Sequence, residues 1–225
     1  MDRPQKKITI LSLQYHCYPD EVGGAWGLTY EINKRLVARG HKVYQITCKS
    51  VENQPSQEVI DGIQYHRISL RESKGMLLLW NAIRKKVKAI LNLESIDLIH
   101  IHNPLIGFLV LLHPSLWKVP KVYHFHSSWF DEERINSVGN AQISLGLKFR
   151  LEMIRIMEWV CYRFSITLLF LSEYSKNRFL RYYPFNKAKL CVIPGGVDIE
   201  EFKPSDSREE TNFIRKKLKL KNETP

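Results

Sequence analysis

The sequence predicts a doubly wound, mostly parallel α/β fold, and three observations carry that prediction. Short apolar runs alternate along the chain with amphipathic stretches of helical period. The runs are nearly continuous in apolar residues, as strands covered on both faces are. Punctuating residues sit at the expected joints, Gly40 after a helical stretch and Pro194 after a strand-like one. Strands separated by helices imply right-handed βαβ units and a parallel sheet with helices on both sides.

Ile8–Leu13 reads as a buried strand, followed by a turn-rich loop, Tyr15–Gly24. Trp26–Arg39 has a helical period, with Tyr30, Ile32, Leu36 and Val37 inward and Glu31, Lys34, Arg35 and Arg39 outward. Gly40 occupies the place of a helix-ending glycine. Val43–Thr47 is a second strand, and Ile63–Ile68 a third, reached through the polar segment Ser50–Gly62. Met76–Leu93 is a long helix with Leu79, Ile83, Val87, Ile90 and Leu91 inward and Arg84, Lys85, Lys86 and Lys88 outward. Leu98–His102 and Val122–Phe125 are strands flanking a short helix, Leu105–Leu112. Gln142–Phe164 is a long helix, Thr167–Leu171 a strand, Ser175–Tyr183 a short helix, and Leu190–Ile193 a last strand. After Pro204 the composition shifts to Ser205-Asp206-Ser207-Arg208 and a basic helix-like stretch. Residues 1–204 are therefore expected to form one lobe, and 205–225 a linker.

A chain of 225 residues with 44% hydrophobic residues can bury a core, which excludes wholesale disorder. Against 23 acidic residues stand 34 Lys and Arg, a net charge of +11. Such a surplus suits an anionic partner: nucleic acid, a phosphorylated ligand or a membrane surface. No helix-turn-helix, zinc-finger or RNA-binding signature accompanies it, so nucleic acid is not expected. Cys17, Cys48, Cys161 and Cys191 are scattered without a CxxC pair, which fits reduced, packed thiols in a cytoplasmic protein. Gly107–Leu112 and Ile166–Leu171 are among the longest apolar runs, too short to span a bilayer. Basic and apolar residues interleave at Trp80 with Arg84-Lys85-Lys86, and at Phe149, Met153 and Trp159 with Lys148, Arg150 and Arg155. Those stretches fit either a solvated helix face or a peripheral contact with anionic lipid.

In an open parallel sheet, ligands bind beyond the carboxyl ends of the strands. Gly23-Gly24 precedes the first helix there; paired glycines allow close backbone approach, and a helix start offers free N–H groups. The pair suits a phosphate, though it equally suits a plain tight turn, being neither GxGxxG nor a Walker loop. His100 and His102, then His124 and His126, form pairs two apart at strand ends, so each pair shares a face. Four imidazoles side by side raise a metal centre, with Asp131 and Glu132 as added ligands, or else a wall that packs and contacts substrate. The latter is expected, with no metal.

Ile193-Pro194-Gly195-Gly196-Val197-Asp198 with Phe202-Lys203-Pro204 resembles the end of the N-terminal half of glycosyltransferase family 4 enzymes. Gly23-Gly24, Arg39-Gly40-His41-Lys42-Val43, Asp97-Leu98-Ile99-His100, His124-Phe125-His126 and Leu171-Ser172-Glu173-Tyr174 fall in the family's order. The resemblance spans roughly residues 7–204. It implies one Rossmann-like lobe of a GT-B fold, and sugar transfer from a UDP- or GDP-sugar with retention and without a metal cofactor. It further implies that Gly23 and Gly24 approach the donor diphosphate and that His126 works at the reacting sugars. His102, Asn103 and Ser172 would line the acceptor side of the pocket. The acceptor is expected to be a saccharide or a lipid-linked molecule, at the inner face of the cell membrane.

The family's nucleotide-sugar-binding half would begin about where residue 225 falls, so the chain is expected to be the acceptor-side half, inactive without a second domain in cis or in trans. Glu201 and Glu209 have the eight-residue spacing of that half's glutamate pair, but in a linker, as chance would place them. The alternative reading is a non-catalytic sugar- or polyanion-binding module.

Overall fold

The computed structural model describes residues 6–138, 144–184, 187–199 and 208–218. Residues 1–194 form one compact unit and 195–225 another. In the first, eight strands make one sheet: β1 (Thr9–Leu13), β2 (Lys42–Cys48), β3 (Gln57–Ile60), β4 (Ile63–Ile68), β5 (Leu98–Ile101), β6 (Lys121–Phe125), β7 (Thr167–Phe170) and β8 (Lys189–Val192). Their order is β3-β4-β2-β1-β5-β6-β7-β8. Every neighbouring pair is parallel except β3 with β4. The helices are α1 (Gly24–Ala38), α2 (Met76–Leu93), α3 (Pro104–Leu111), α4 (Trp129–Val138), α5 (Leu145–Phe164) and α6 (Glu173–Tyr182). The second unit contains α7 (Arg208–Lys217).

The expected α/β order is present, with two additions. β3 lies inside the polar segment Ser50–Gly62 and turns back onto β4 through Asp61 (φ 48°) and Gly62 (φ 77°). Two successive left-handed residues make the tight turn that matches strand twist, and Asp-Gly is its usual sequence. α4 occupies the stretch between β6 and α5 that carries no apolar period. Gly40 adopts φ 85° just past α1, and its N–H reaches the Val37 carbonyl at 2.8 Å, as a helix-ending glycine should. α5 starts at Leu145 behind Ser144, whose hydroxyl accepts from the Leu147 N–H. Gln142 and Ile143, expected in that helix, lie outside the described residues, as do Glu201 and the Phe202-Lys203-Pro204 run.

The sheet's two faces are built differently. Leu11 and Leu13, Ile99 and Ile101, Tyr123 and Phe125, and Leu168 and Phe170 point to one side. There they meet Ile83, Val87, Ile106, Val110, Tyr162 and Phe179 from α2, α3, α5 and α6. On the other side a smaller cluster joins Ile10, Val43, Ile63 and Tyr65 to Tyr30 of α1. Ser12, Gln45, Thr47, His100 and His124 on that side are buried and polar, and they lead to the site. Among the described residues, no helix is long and apolar enough to cross a membrane.

Candidate functional site

Strand order reverses at the β1–β5 boundary: the chain winds outward from β1 through β2 and β4, and outward from β5 through β6 and β7. The crevice beyond the carboxyl ends at such a switch point is where doubly wound sheets place ligands. Here the loop after β1 lies on one side and the His102-Asn103 turn after β5 on the other. The His102 amide donates to the Leu13 carbonyl at 2.9 Å, which ties the two together.

The loop after β1 delivers Gly23 and Gly24 to the start of α1. Gly23 is the extended N-cap residue, and no side chain caps the helix. The first turn holds no acidic residue either, so nothing on the helix itself caps its N–H groups or opposes its positive end. The two glycines do different work. A Cβ on Gly23 would lie 2.6 Å from the Trp26 ring, whereas one on Gly24 would meet nothing within 4 Å. Gly23 is needed for packing; Gly24 leaves open space over the helix end.

Arg67 of β4 fixes this loop from below. Its guanidinium is buried, forks onto Asp20 at 2.5 and 2.8 Å, and reaches Glu58 of β3 at 2.7 Å. Tyr65 donates its hydroxyl hydrogen to the Tyr18 carbonyl at 2.6 Å. A forked, dry Arg–carboxylate pair is geometrically specific, so the loop that presents Gly24 is held at defined positions. Neither residue stood out in the sequence, because the partner carboxylate lies 47 positions away.

The four histidines come together as one wall. His100 on β5 and His124 on β6, with His102 and His126 just past the ends of those strands, all point to the α1 side of the sheet. His124 and His126 stack in parallel at 4.7 Å, and His102 lies 5.4 Å from each. His102 Nδ1 and His126 Nε2 are 3.1 Å apart, a hydrogen bond in which one ring donates. Burial holds His100 and His126 down to about 3 and His124 down to about 4, with neighbouring histidines adding to the depression at His100 and His126. His102 is pushed down by burial and by all three neighbours. The wall is therefore neutral: a set of flat faces, lone pairs and N–H groups suited to an uncharged polyol.

His100, His102 and His124 each offer a nitrogen, and these lie within 4.8 Å of one another. Zinc wants ligands at about 2.0–2.1 Å from the ion, so the three rings would have to close up to hold one. The two carboxylates that could add ligands are engaged elsewhere. Asp131 pairs with Arg178 at 3.1 Å and Arg134 at 3.2 Å, and Glu132 accepts from the Ser127 hydroxyl.

The other rim residues act as helix caps. The Asn103 side-chain oxygen accepts from the Leu105 and Ile106 N–H groups at 3.0 and 3.1 Å, starting α3. The Ser172 hydroxyl accepts from Ser175 N–H at 3.2 Å, starting α6. Both lie at the carboxyl edge, but their side chains are occupied by backbone.

Sequence reasoning missed Glu158. This α5 carboxylate is fully buried beneath the start of α4, three residues beyond His126. It accepts from the Trp129 amide at 2.6 Å, from Ser128 at 3.3 Å and from the Tyr183 hydroxyl at 3.1 Å. Burial pushes it up to about 7, against the pull of those donors. It fixes the turn that carries His126.

Residues 22–201 match the family description Glycosyltransferase Family 4. The chain belongs to that family. Among curated relatives, the D-inositol 3-phosphate glycosyltransferase of Kineococcus radiotolerans is 25% identical over 197 residues, covering 84% of this chain and 44% of that protein. Among solved structures, sucrose-phosphate synthase from Thermosynechococcus elongatus aligns with a TM-score of 0.69 at 18% identity, over 97% of this chain and 54% of that one. Anabaena HepE, solved with UDP and glucose, aligns with a TM-score of 0.61 at 19% identity, over 94% of this chain and 50% of that one. The family 4 chain thus has the Rossmann-like architecture of a GT-B lobe and spans about half the length of the proteins it matches.

Proposed function

We propose that this polypeptide is the acceptor-side half of a retaining glycosyltransferase. It would move a hexose from a UDP- or GDP-sugar to a saccharide or lipid-linked acceptor during cell-surface polysaccharide or glycoconjugate synthesis. The reaction belongs in the cytoplasm, at the inner face of the membrane. The observation that carries the reading is the joint placement, at one switch-point crevice, of an uncapped helix start and a neutral imidazole wall in a family 4 chain.

The helix start at Gly24 faces the departing diphosphate, where oriented N–H groups stabilise charge that grows as the glycosidic bond to phosphate breaks. His126, kept neutral by burial, hydrogen-bonds the reacting sugars, and His102 fixes its ring through the 3.1 Å contact. The Asn103 and Ser172 turns shape the rim. The rest of the donor site comes from a nucleotide-sugar-binding domain, in cis or in trans, and no metal takes part. UDP-glucose complexes of the neighbouring Anabaena HepE support a nucleotide-sugar donor.

The test joins the chain to a family 4 nucleotide-binding domain and measures transfer of labelled sugar from UDP- and GDP-sugars to membrane extracts. Transfer is expected to fall by about a hundredfold or more in His126→Ala and to be indifferent to a chelator. Full activity in His126→Ala contradicts its role at the reacting sugars, and abolition by the chelator contradicts a metal-free reaction. An isolated chain that transfers sugar unaided contradicts the half-enzyme reading.

A further inference from the structure

α5 turns five large apolar side chains to solvent: Phe164, its last residue, is 61% exposed and lies to one side, while Leu145, Phe149, Ile156 and Trp159 are 84%, 70%, 49% and 53% exposed. At 3.6 residues per turn those four fall within about 80° of arc, one stripe along the helix. Leu151, Ile154, Met157 and Cys161, on the opposite side, are buried in the core. Exposed Lys148, Arg155 and Arg163 border or extend the stripe. Glu152 lies within it, paired with Arg155 at 3.9 Å.

Isolated apolar residues on a surface are ordinary, but a continuous stripe with Trp and Phe marks a contact surface. The bordering cations say what it contacts. Aromatic and aliphatic side chains edged by Lys and Arg are the composition of a helix lying in the plane of a membrane interface. An apolar protein partner has no need of the cations, while an anionic headgroup layer does. α2 lies on the same side of the sheet, packed on α3, which also packs on α5. Its first turn exposes Met76, Leu77 and Leu78, with Lys85 and Lys88 exposed further along.

The stripe's position also fits. Crossover helices run back against the strands they connect, so the first turn of α5 lies at the carboxyl edge of the sheet. Arg150 near that end pairs with Glu133 of α4, the helix that follows His126, at 3.1 Å. We propose that the outward stripe of α5, with the first turn of α2, docks on an anionic bilayer and sets the strand-end crevice beside lipid-borne acceptors. Its use in catalysis rests on the acceptor-side role proposed for the chain; the docking itself does not.

The test is co-sedimentation of the 225-residue chain with phosphatidylcholine vesicles, with and without phosphatidylglycerol, at low and physiological salt. Binding is expected only with phosphatidylglycerol and should weaken as salt rises. F149S/W159S should lose it by at least about tenfold. K148Q/R155Q should lose roughly fivefold per charge, from about 1 kcal/mol each. Melting temperatures of all variants are followed, and K34Q/R39Q on α1 serves as the charge-matched control. No binding at low salt overturns the proposal. So does binding that survives F149S/W159S, or that K34Q/R39Q weakens as much as K148Q/R155Q. A dimer that F149S/W159S dissolves, without vesicle binding, overturns it in favour of a second copy. No sugar is transferred in these assays, so a negative result leaves the transferase reading standing.

Discussion

The two faces of this sheet are made from alternate residues of the same strands, yet they obey different rules. Toward α2, α3, α5 and α6, β1 offers Leu11 and Leu13, β5 offers Ile99 and Ile101, and β6 offers Tyr123 and Phe125. Toward α1 the intervening positions are Ser12, Gln14, His100, His102 and His124, all buried. Asn33 of α1 joins the polar set, donating to Ser12 at 3.0 Å and Gln45 at 2.8 Å. A polar residue buried without a partner is costly, and only part of this seam is hydrogen-bonded. Among the described residues His124 Nδ1 and Nε2, His100 Nε2 and His102 Nε2 have no partner. One face is assembled for stability. The other carries polar groups whose cost that stability offsets, and it does so beside the switch point where a ligand can use them.

The largest expected effect breaks the stable face. Phe170 is fully buried, with Phe125 and Phe179 both 5.3 Å away. Phe170→Ala should cost about 3–5 kcal/mol, the usual loss for a buried aromatic. The loss should be the same at about pH 7.5 and pH 5, because nothing in that contact titrates. Urea unfolding at both values checks it; a loss that depends strongly on pH would mean that the two faces are not separable.

Acid should act on the other face. An ordinary histidine titrates near 6.5, while burial holds His100 and His126 down to about 3 and His124 to about 4. Below about 6.5 the unfolded chain takes up protons that the folded wall refuses, so stability is lost as pH falls through that value toward 4. At pH 5 each ring accounts for about 2 kcal/mol. Glu158 works in the opposite direction. Raised to about 7 by burial, it keeps its proton when folded in the window where the unfolded chain has lost it. It therefore adds stability as pH drops from 7 toward 4.5, about 3 kcal/mol by pH 5. Three rings outweigh one carboxyl, and His102 and His66, also held down by burial, act in the same direction, so net stability should fall by at least about 3 kcal/mol between pH 7.5 and 5. A flat profile would mean that the imidazoles are wet and charge freely.

Glu158 itself gives the next test. Glu158→Ala strands the Trp129 N–H and the Tyr183 hydroxyl in a buried space, at about 2–3 kcal/mol. Glu158→Gln keeps an acceptor and the shape, so it should stay within about 1 kcal/mol of the parent at neutral pH. It should also steepen the acid loss, because the opposing proton uptake is gone. If Gln and Ala are equally damaging, it is the charge and not the acceptor that holds the His126 turn.

How much of this was legible depends on how local each cause is. The strand and helix order follows from runs of apolar residues, and the strand-end histidines from their own spacing, since side chains two apart share a face. The hairpin at β3 was signalled by Asp61-Gly62, but the polar strand beside it hid the alternation. α4 has no apolar period because its start is held by a carboxylate, Glu158, supplied from α5. Arg67 and Asp20 are likewise bound by folding alone. Such long-range polar pairs leave no period or motif in a single sequence. The capping roles of Asn103 and Ser172 are readable from position alone, each standing at a helix start with a following N–H to accept.

The smallest expected effect on stability separates fold from function most sharply. A Cβ on Gly24 meets nothing within 4 Å, and its position is the first of a helix. Gly24→Ala should therefore be neutral or stabilising by up to about 1 kcal/mol, from reduced freedom of the unfolded chain. A larger group there would stand over the N–H groups that we propose face the donor diphosphate, so Gly24→Val should leave the melting temperature nearly unchanged and yet weaken nucleotide-sugar use by about tenfold or more once the chain is joined to a nucleotide-binding domain. Gly23→Ala behaves the other way, because its methyl presses on the Trp26 ring at 2.6 Å and must displace it. Melting temperature and donor KM, measured side by side on the two neighbours, should move in opposite patterns. If Gly24→Val leaves donor KM untouched, the end of α1 does not face the diphosphate, and the polar face owes its composition to something other than this ligand.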